Sequence, residues 1–217
     1  MTFSMSNSVC SIWQSTSTEN TTAIVVPDGC RDLICKCTGN GESNWLVSPL
    51  FEHAEMINVV SGTNHTGFRL KPGVRISESD ILAVLKSENI ELENVNNLLD
   101  DFTYLNSHVE EALSCLSSDV SSVKEASDKL GVGIRTLQRL IVKETAKSPS
   151  YWFQLARVRR AARELTKTTP FAEVADSCGF SDQSHMNREI RRWFTVSPSD
   201  LAKSSDIAAQ LNEPGYD

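Results

Sequence analysis

Leu130-Gly131-Val132-Gly133-Ile134-Arg135-Thr136-Leu137-Gln138-Arg139-Leu140 sets a glycine-rich turn in front of a segment with helical apolar spacing, and Cys178-Gly179-Phe180-Ser181-Asp182-Gln183-Ser184-His185 repeats the plan. In the first copy, Val123, Ala126 and Leu130 precede the turn, and Ile134, Leu137, Leu140 and Ile141 follow it. That spacing predicts helix, tight turn, helix, with Gly131 supplying the turn and Leu130, Val132, Leu137 and Leu140 forming the small core between the helices. The second helix then carries Arg135, Thr136, Gln138, Arg139 and Lys143 outward. Forked donors and acceptors of this kind suit base edges in a major groove. In the second copy the first helix is expected over Phe171 to Ser177 and the second over Ser181 to Trp193, with Ser181 as its N-cap and Asp182 at its positive end. Gln183, Ser184, Asn187, Arg188, Arg191 and Arg192 fall on the outer face, and Met186, Ile190 and Phe194 on the inner one.

Between the copies, Ser150 to Thr166 carries the apolar stripe Tyr151, Trp152, Leu155, Val158, Ala162 and Leu165. A helix of that length is roughly 25 Å long, which places two reading helices near the ~34 Å repeat of successive major-groove faces. Arg157, Arg159, Arg160 and Arg163 on it read first as helix-solubilising charges. The charge is segregated along the chain: residues 119–203 hold 15 Lys and Arg against 10 Asp and Glu, whereas residues 1–118 hold 6 against 15 and the last 14 hold none against 3. A net charge of -7 therefore conceals a basic module joined to an acidic one, the distribution expected when one part alone meets phosphate.

Upstream the pattern changes. The first 70 or so residues are rich in β-branched residues and broken by Pro27-Asp28-Gly29, Gly39-Asn40-Gly41, Ser61-Gly62-Thr63 and Lys71-Pro72-Gly73. Short strands are expected at Ala23 to Val26, Asp32 to Cys37, Trp45 to Val47, Met56 to Val60 and Gly67 to Leu70. From Glu78 a helical period takes over, and the five serines between Ser114 and Ser122 mark a boundary. The expected class is α+β, with a small β-rich N-terminal domain (1–76), a helical connector (77–118), an all-α domain of two helix-turn-helix subdomains joined by a long helix (119–203) and a C-terminal tail (204–217).

Residues 119–203 resemble the DNA-binding domain of the AraC family. The resemblance lies in Leu130-Gly131-Val132, Arg135 to Leu140, Lys143-Glu144-Thr145, Ser148-Pro149, Val174-Ala175, Cys178 to His185, Arg188, Arg191 to Phe194 and Val196-Ser197-Pro198. It implies a bacterial, cytoplasmic transcription regulator, usually an activator, whose partner is double-stranded DNA. It assigns Arg135, Gln138 and Arg139 to a first set of contacts and Gln183, Ser184, His185 and Arg188 to a second. Gly133 stands where the family usually has a capping residue, and Met186 and Ile190 stand where aromatics are usual. A glycine N-cap loses only a few tenths of a kcal/mol relative to serine. Val26 to Ile34 and Gly67 to Gly73 look like segments of an uncharacterised N-terminal domain found on some AraC-like regulators.

RNA polymerase, a small-molecule effector and a second copy of the chain are the further partners this layout admits, and Asp28 and Arg31 are the candidate pocket residues. The N-terminal half is equally readable as a dimerising or polymerase-contacting module. A competing reading joins the DNA-binding module to a thiol or metal sensor, or to alkyl-transfer repair, through Cys30, Cys35 and Cys37 with His53 and His65. The C-x4-C-x-C spacing matches no paired metal motif, and Cys35 and Cys37 share a strand face, so common burial explains them equally. No catalytic residue, cofactor or metal is expected. No apolar run reaches membrane-spanning length and no secretory signal is visible, so neither a membrane partner nor export is expected.

Overall fold

The computed structural model describes residues 6–39, 43–88, 90–167 and 169–216. The N-terminal part builds β1 (Val9–Ser17), β2 (Thr21–Val25), β3 (Asp32–Cys37), β4 (Ser43–Val47), β5 (Glu55–Val59), β6 (Thr63–Leu70) and β7 (Arg75–Ile76). There follow α1 (Glu78–Ser87), α2 (Leu92–Phe102), β8 (Thr103–Tyr104) and α3 (Ser107–Ser117). The rest is helical: α4 (Val123–Lys129), α5 (Ile134–Thr145), α6 (Pro149–Leu165), α7 (Phe171–Ser177), α8 (Gln183–Phe194), α9 (Pro198–Leu201) and α10 (Ser205–Asn212). This is the α+β arrangement expected, with strands first and helices after.

An antiparallel sheet runs in the order β1-β6-β3-β4, and β2 pairs with β5 and β7 with β8 as two-stranded ribbons. Leu33 lies opposite Phe68 on one side and Val47 on the other. Directly opposed residues share a face, and this one is covered by Ile81 and Leu85 of α1 and Val95 and Leu99 of α2. β1 was not expected from sequence. Its Ser, Thr and Gln side chains hide a strand that pairs with β6 from Val9↔Leu70 to Ser17↔Thr63. The Gly39-Asn40-Gly41 turn falls partly outside the described residues, which exclude Asn40 and Gly41.

The segment read as one connector divides its loyalties. α1 and α2 finish the sheet domain, whereas α3 packs on α4, α5 and α6 and gives Val109, Ala112, Leu113 and Leu116 to the helical core. Residues 204–217, read as a tail, contain α10, whose Ile207 and Leu211 are buried against α6. After it, Tyr216 enters the core, its ring edge-on to Trp152 at 4.9 Å and its hydroxyl donating to Leu113 O at 2.9 Å. Among the described residues two hydrophobic cores result, and the larger runs from Val26 through α3 and α6 to Tyr216, across both halves of the chain.

Candidate nucleic-acid interface

Each helix-turn-helix unit is built by the same local chemistry. After α4, Gly131 adopts φ +65 and its amide donates to Asp128 O, while Val132 N donates to Ser127 O at 3.0 Å. After α7, Gly179 (φ +72) donates to Asp176 O and Phe180 N to Ala175 O at 2.9 Å. These paired bonds are the helix-ending pattern that needs a left-handed residue, which only glycine adopts without strain. Both second helices end alike, on left-handed Ala146 (φ 56) and Thr195 (φ 60), followed by Ser148-Pro149 and Ser197-Pro198, whose serines cap α6 and α9.

The units differ at their turns. The second is one residue longer, so α8 begins at Gln183 with Asp182 as N-cap, accepting from His185 N at 2.6 Å. Ser181, the expected cap, instead approaches the His185 ring, its hydroxyl 3.1 Å from Nδ1. The acceptance from the His185 amide holds the Asp182 carboxyl below its usual range. In the first unit Gly133 is the N-cap, with no side-chain bond. Phe180 is buried at its turn, but Val132, expected in the core, is 37% exposed; Leu137 is buried as expected, Leu130 and Leu140 pack half-buried against the same core, and Ala126 and Ile141 complete the first unit. A valine is too short to reach back across the turn where the phenylalanine does.

The α5 stripe that buries Leu137 and Ile141 leaves Arg135, Thr136, Gln138, Arg139 and Lys143 in solvent. On α8, Met186, Ile190, Trp193 and Phe194 are buried, and Gln183, Ser184, Arg188, Arg191 and Arg192 are exposed. His185 and Asn187 stand apart from that face. The His185 ring is half-buried, edge-on to Phe180 at 5.4 Å, and Asn187 Oδ1 is buried without a hydrogen-bond partner. Arg192 reaches Glu189 at 3.6 Å and lies over the Trp193 ring.

The linker arginines hold the assembly together, a role that sequence reasoning missed. Arg157 stacks on Phe180 (4.7 Å) and Phe153 (5.6 Å) and donates to Gly179 O, fastening the second turn to α6. Arg159 is fully buried and donates to Pro27 O at 3.0 Å, its Nε and Nη2 without partners. Arg160 donates to Ser117 O at 2.8 Å and Arg163 to Leu211 O at 2.7 Å. Burial pulls the guanidinium pKa values of Arg157, Arg159 and Arg163 down. Phe153, one helical turn before Arg157, was the readable signal for the stack.

The N-terminal domain grips the C-terminal ends of both outward helices. Arg75 of β7 reaches Glu144 at 3.4 Å, Glu52 pairs with Lys147, and Ala54 N donates to Trp193 O at 2.7 Å. Asp28 is buried at the junction, accepting from Cys30 N at 2.9 Å with Arg69 at 3.4 Å, and burial pushes its carboxyl pKa up. Arg31 lies elsewhere, donating to Ser48 O and Glu78 at the rim of a cavity between the domains. All six cysteines are free thiols, and Cys35 and Cys37 lie 3.6 Å apart. Burial pushes Cys35 up to about 12, which opposes the thiolate that a sensor or alkyl acceptor requires.

A helix-turn-helix family model matches residues 126–204, the span just described. The match identifies residues 126–204 as a helix-turn-helix domain. The chain is 25% identical over 127 residues to the HTH-type transcriptional activator RhaS of Escherichia coli O9:H4 (strain HS), covering 58% of this chain and 44% of that one. The same values hold for RhaS of Escherichia coli strain K12 / DH10B. The chain thus spans less than half the length of these curated relatives. Among solved structures it is similar to an AraC-type DNA-binding domain-containing regulator from Chromobacterium violaceum (25% identity, 50% of this chain and 96% of that one, TM-score 0.41). It is also similar to ToxT from Vibrio cholerae O395 (13% identity, 88% and 95%, TM-score 0.44). Among the described residues no helix is long and apolar enough to cross a membrane, and no group of three or more potential metal ligands occurs.

Proposed function

We propose that this chain is a sequence-specific DNA-binding transcription regulator that lays α5 and α8 into two adjacent major-groove segments of one duplex. The observation that carries the reading is that both helices bury their apolar stripe while the opposite face offers Arg, Gln, Thr and Ser to solvent. Arg135, Gln138 and Arg139 read the first segment. Gln183, Ser184 and Arg188 read the second, and Lys143, Arg191 and Arg192 take phosphates. Thr136 supports the first set. His185, whose Nδ1 faces Ser181, has Nε2 left to donate to DNA, and Asn187 joins the second set if its amide turns outward.

The relatives named transcriptional activators favour activation, which adds RNA polymerase as a partner and the cytoplasm as the place of action. The sheet domain, which grips both reading helices, is the part through which an effector or a second copy would act. Selecting bound duplexes from a random pool and footprinting the winner tests the reading. The expected result is two protected segments about 10–10.5 base pairs apart, centre to centre. A single protected segment, or no enrichment of any sequence, would overturn it.

A further inference from the structure

The cavity between the domains, about 340 Å³, lies in the size range of small-molecule sites, about 300–1,000 Å³. Its walls come from both halves of the chain: Arg31, Lys71 and Arg75 from the sheet domain, and Lys143, Glu144 and Trp152 from the helical one. Four cationic side chains and one carboxylate line it.

The cations are unevenly satisfied. Arg31 is held by Glu78 at 2.7 Å, a normal charge-assisted distance. Arg75 and Lys143 share one carboxylate, Glu144, at 3.4 and 3.7 Å, and Lys71 stands 3.5 Å from Glu110 on the outer surface. Glu144 is itself nearly buried, its side chain 6% exposed, so it cannot move out to serve both partners better. One carboxylate shared by two cations leaves one net positive charge facing a partly enclosed space, and Lys71, whose partner Glu110 lies outside the lining, adds a further cation at its wall. There an opposite charge is attracted more strongly than in bulk water.

We propose that this cavity binds a small, doubly charged oxyanion, held by Lys71, Lys143 and the free donors of Arg75 while Arg75 stays paired with Glu144. Arg75 supplies a planar fork that grips two oxygens, and Lys71 and Lys143 supply point charges on either side. Lys143 also stands on the outward face of α5. Anion and DNA phosphate therefore compete for it, and each weakens the other's binding by the same factor. This coupling rests on α5 being a reading helix; the binding of the anion does not.

The test uses the full chain in thermal melts at constant ionic strength, with inorganic phosphate and succinate as dianion probes and butyrate as the singly charged control. At about five times its Kd, a binding dianion raises Tm by about 2–4 °C, and butyrate does so by less than half as much. The shift is lost in Lys71→Gln and in Arg75→Gln. Lys71 is half-buried and makes one ion pair, at 3.5 Å, so its variant remains informative should Arg75→Gln disturb the fold. With labelled duplex, the same dianion concentration weakens binding by up to about sixfold, and Lys143→Gln removes most of that effect. No dianion shift, or an equal shift in both variants, overturns the site. A dianion shift in a chain that binds no duplex at all would leave the site standing and sink the regulator reading instead.

Discussion

Arg139 and Arg188 stand on different outward helices and both are solvent-exposed, so their removal tests the interface with little disturbance of the fold. Alanine at an exposed site away from caps and cores usually changes stability by no more than about 0.5 kcal/mol. A lost bidentate base contact weakens binding by about 1–3 kcal/mol, and contacts on separate elements add within about 0.3–0.5 kcal/mol. The double variant Arg139→Ala, Arg188→Ala is therefore expected to bind its selected duplex about 2–6 kcal/mol more weakly, roughly 30-fold to about 10⁴-fold. Fluorescence anisotropy over about 50–200 mM salt separates the causes. If an arginine reads bases, its loss relaxes preference in one segment only; if it touches phosphate, all sequences weaken alike and the slope of log K against log salt falls by about 0.9. Wild-type affinity and an unchanged slope in the double variant, with an unaltered melting temperature, would refute the placement of α5 and α8 on DNA.

Thr195, a β-branched residue at φ 60, is strained, so Thr195→Gly should stabilise the chain by about 0.5–1 kcal/mol in urea unfolding; a loss of stability would contradict that. Gly29→Ala should destabilise by about 1–3 kcal/mol in the same assay, because φ is +76 and a Cβ would sit 2.6 Å from the Tyr216 Cβ and 3.0 Å from the Trp152 ring. Glu125 accepts from the Ser121 amide and hydroxyl, which with Lys129 hold its carboxyl down at about 2 from 4.5. A depressed acid stabilises above its unfolded value, so the start of α4 should hold above pH 4.5 and loosen as pH falls toward 2. The protection factor of the Ser121 amide, its exchange rate by NMR divided into the intrinsic rate at each pH, should fall with that loosening in the natural chain and stay flat in Glu125→Gln.

The sequence alone determined the two helix-turn-helix units, since their plan is written in local terms. Glycines sit where left-handed turns fall, apolar residues recur at 3.6 spacing, and charge gathers in one module. These are short-range properties, and the helices α6 and α7 consequently lie within a residue of their expected bounds. The cap of α8 moved from Ser181 to Asp182 because the second turn holds one more residue, a difference that only backbone geometry resolves.

Only the tertiary structure decided what the linker arginines do, where Asp28 lies and how the sheet domain meets α5 and α8. Arg159 looks on the sequence like any solvated helix cation, yet it is buried under Pro27, whose carbonyl comes from 132 residues away. The grip of Arg75 on Glu144 spans 69 residues and that of Glu52 on Lys147 spans 95. Contacts at such separations leave no periodic trace, because nothing in local spacing records which distant backbone will close over a side chain. β1 was lost for the same reason: its polar residues become a strand only where β6 is present to accept and donate along its length.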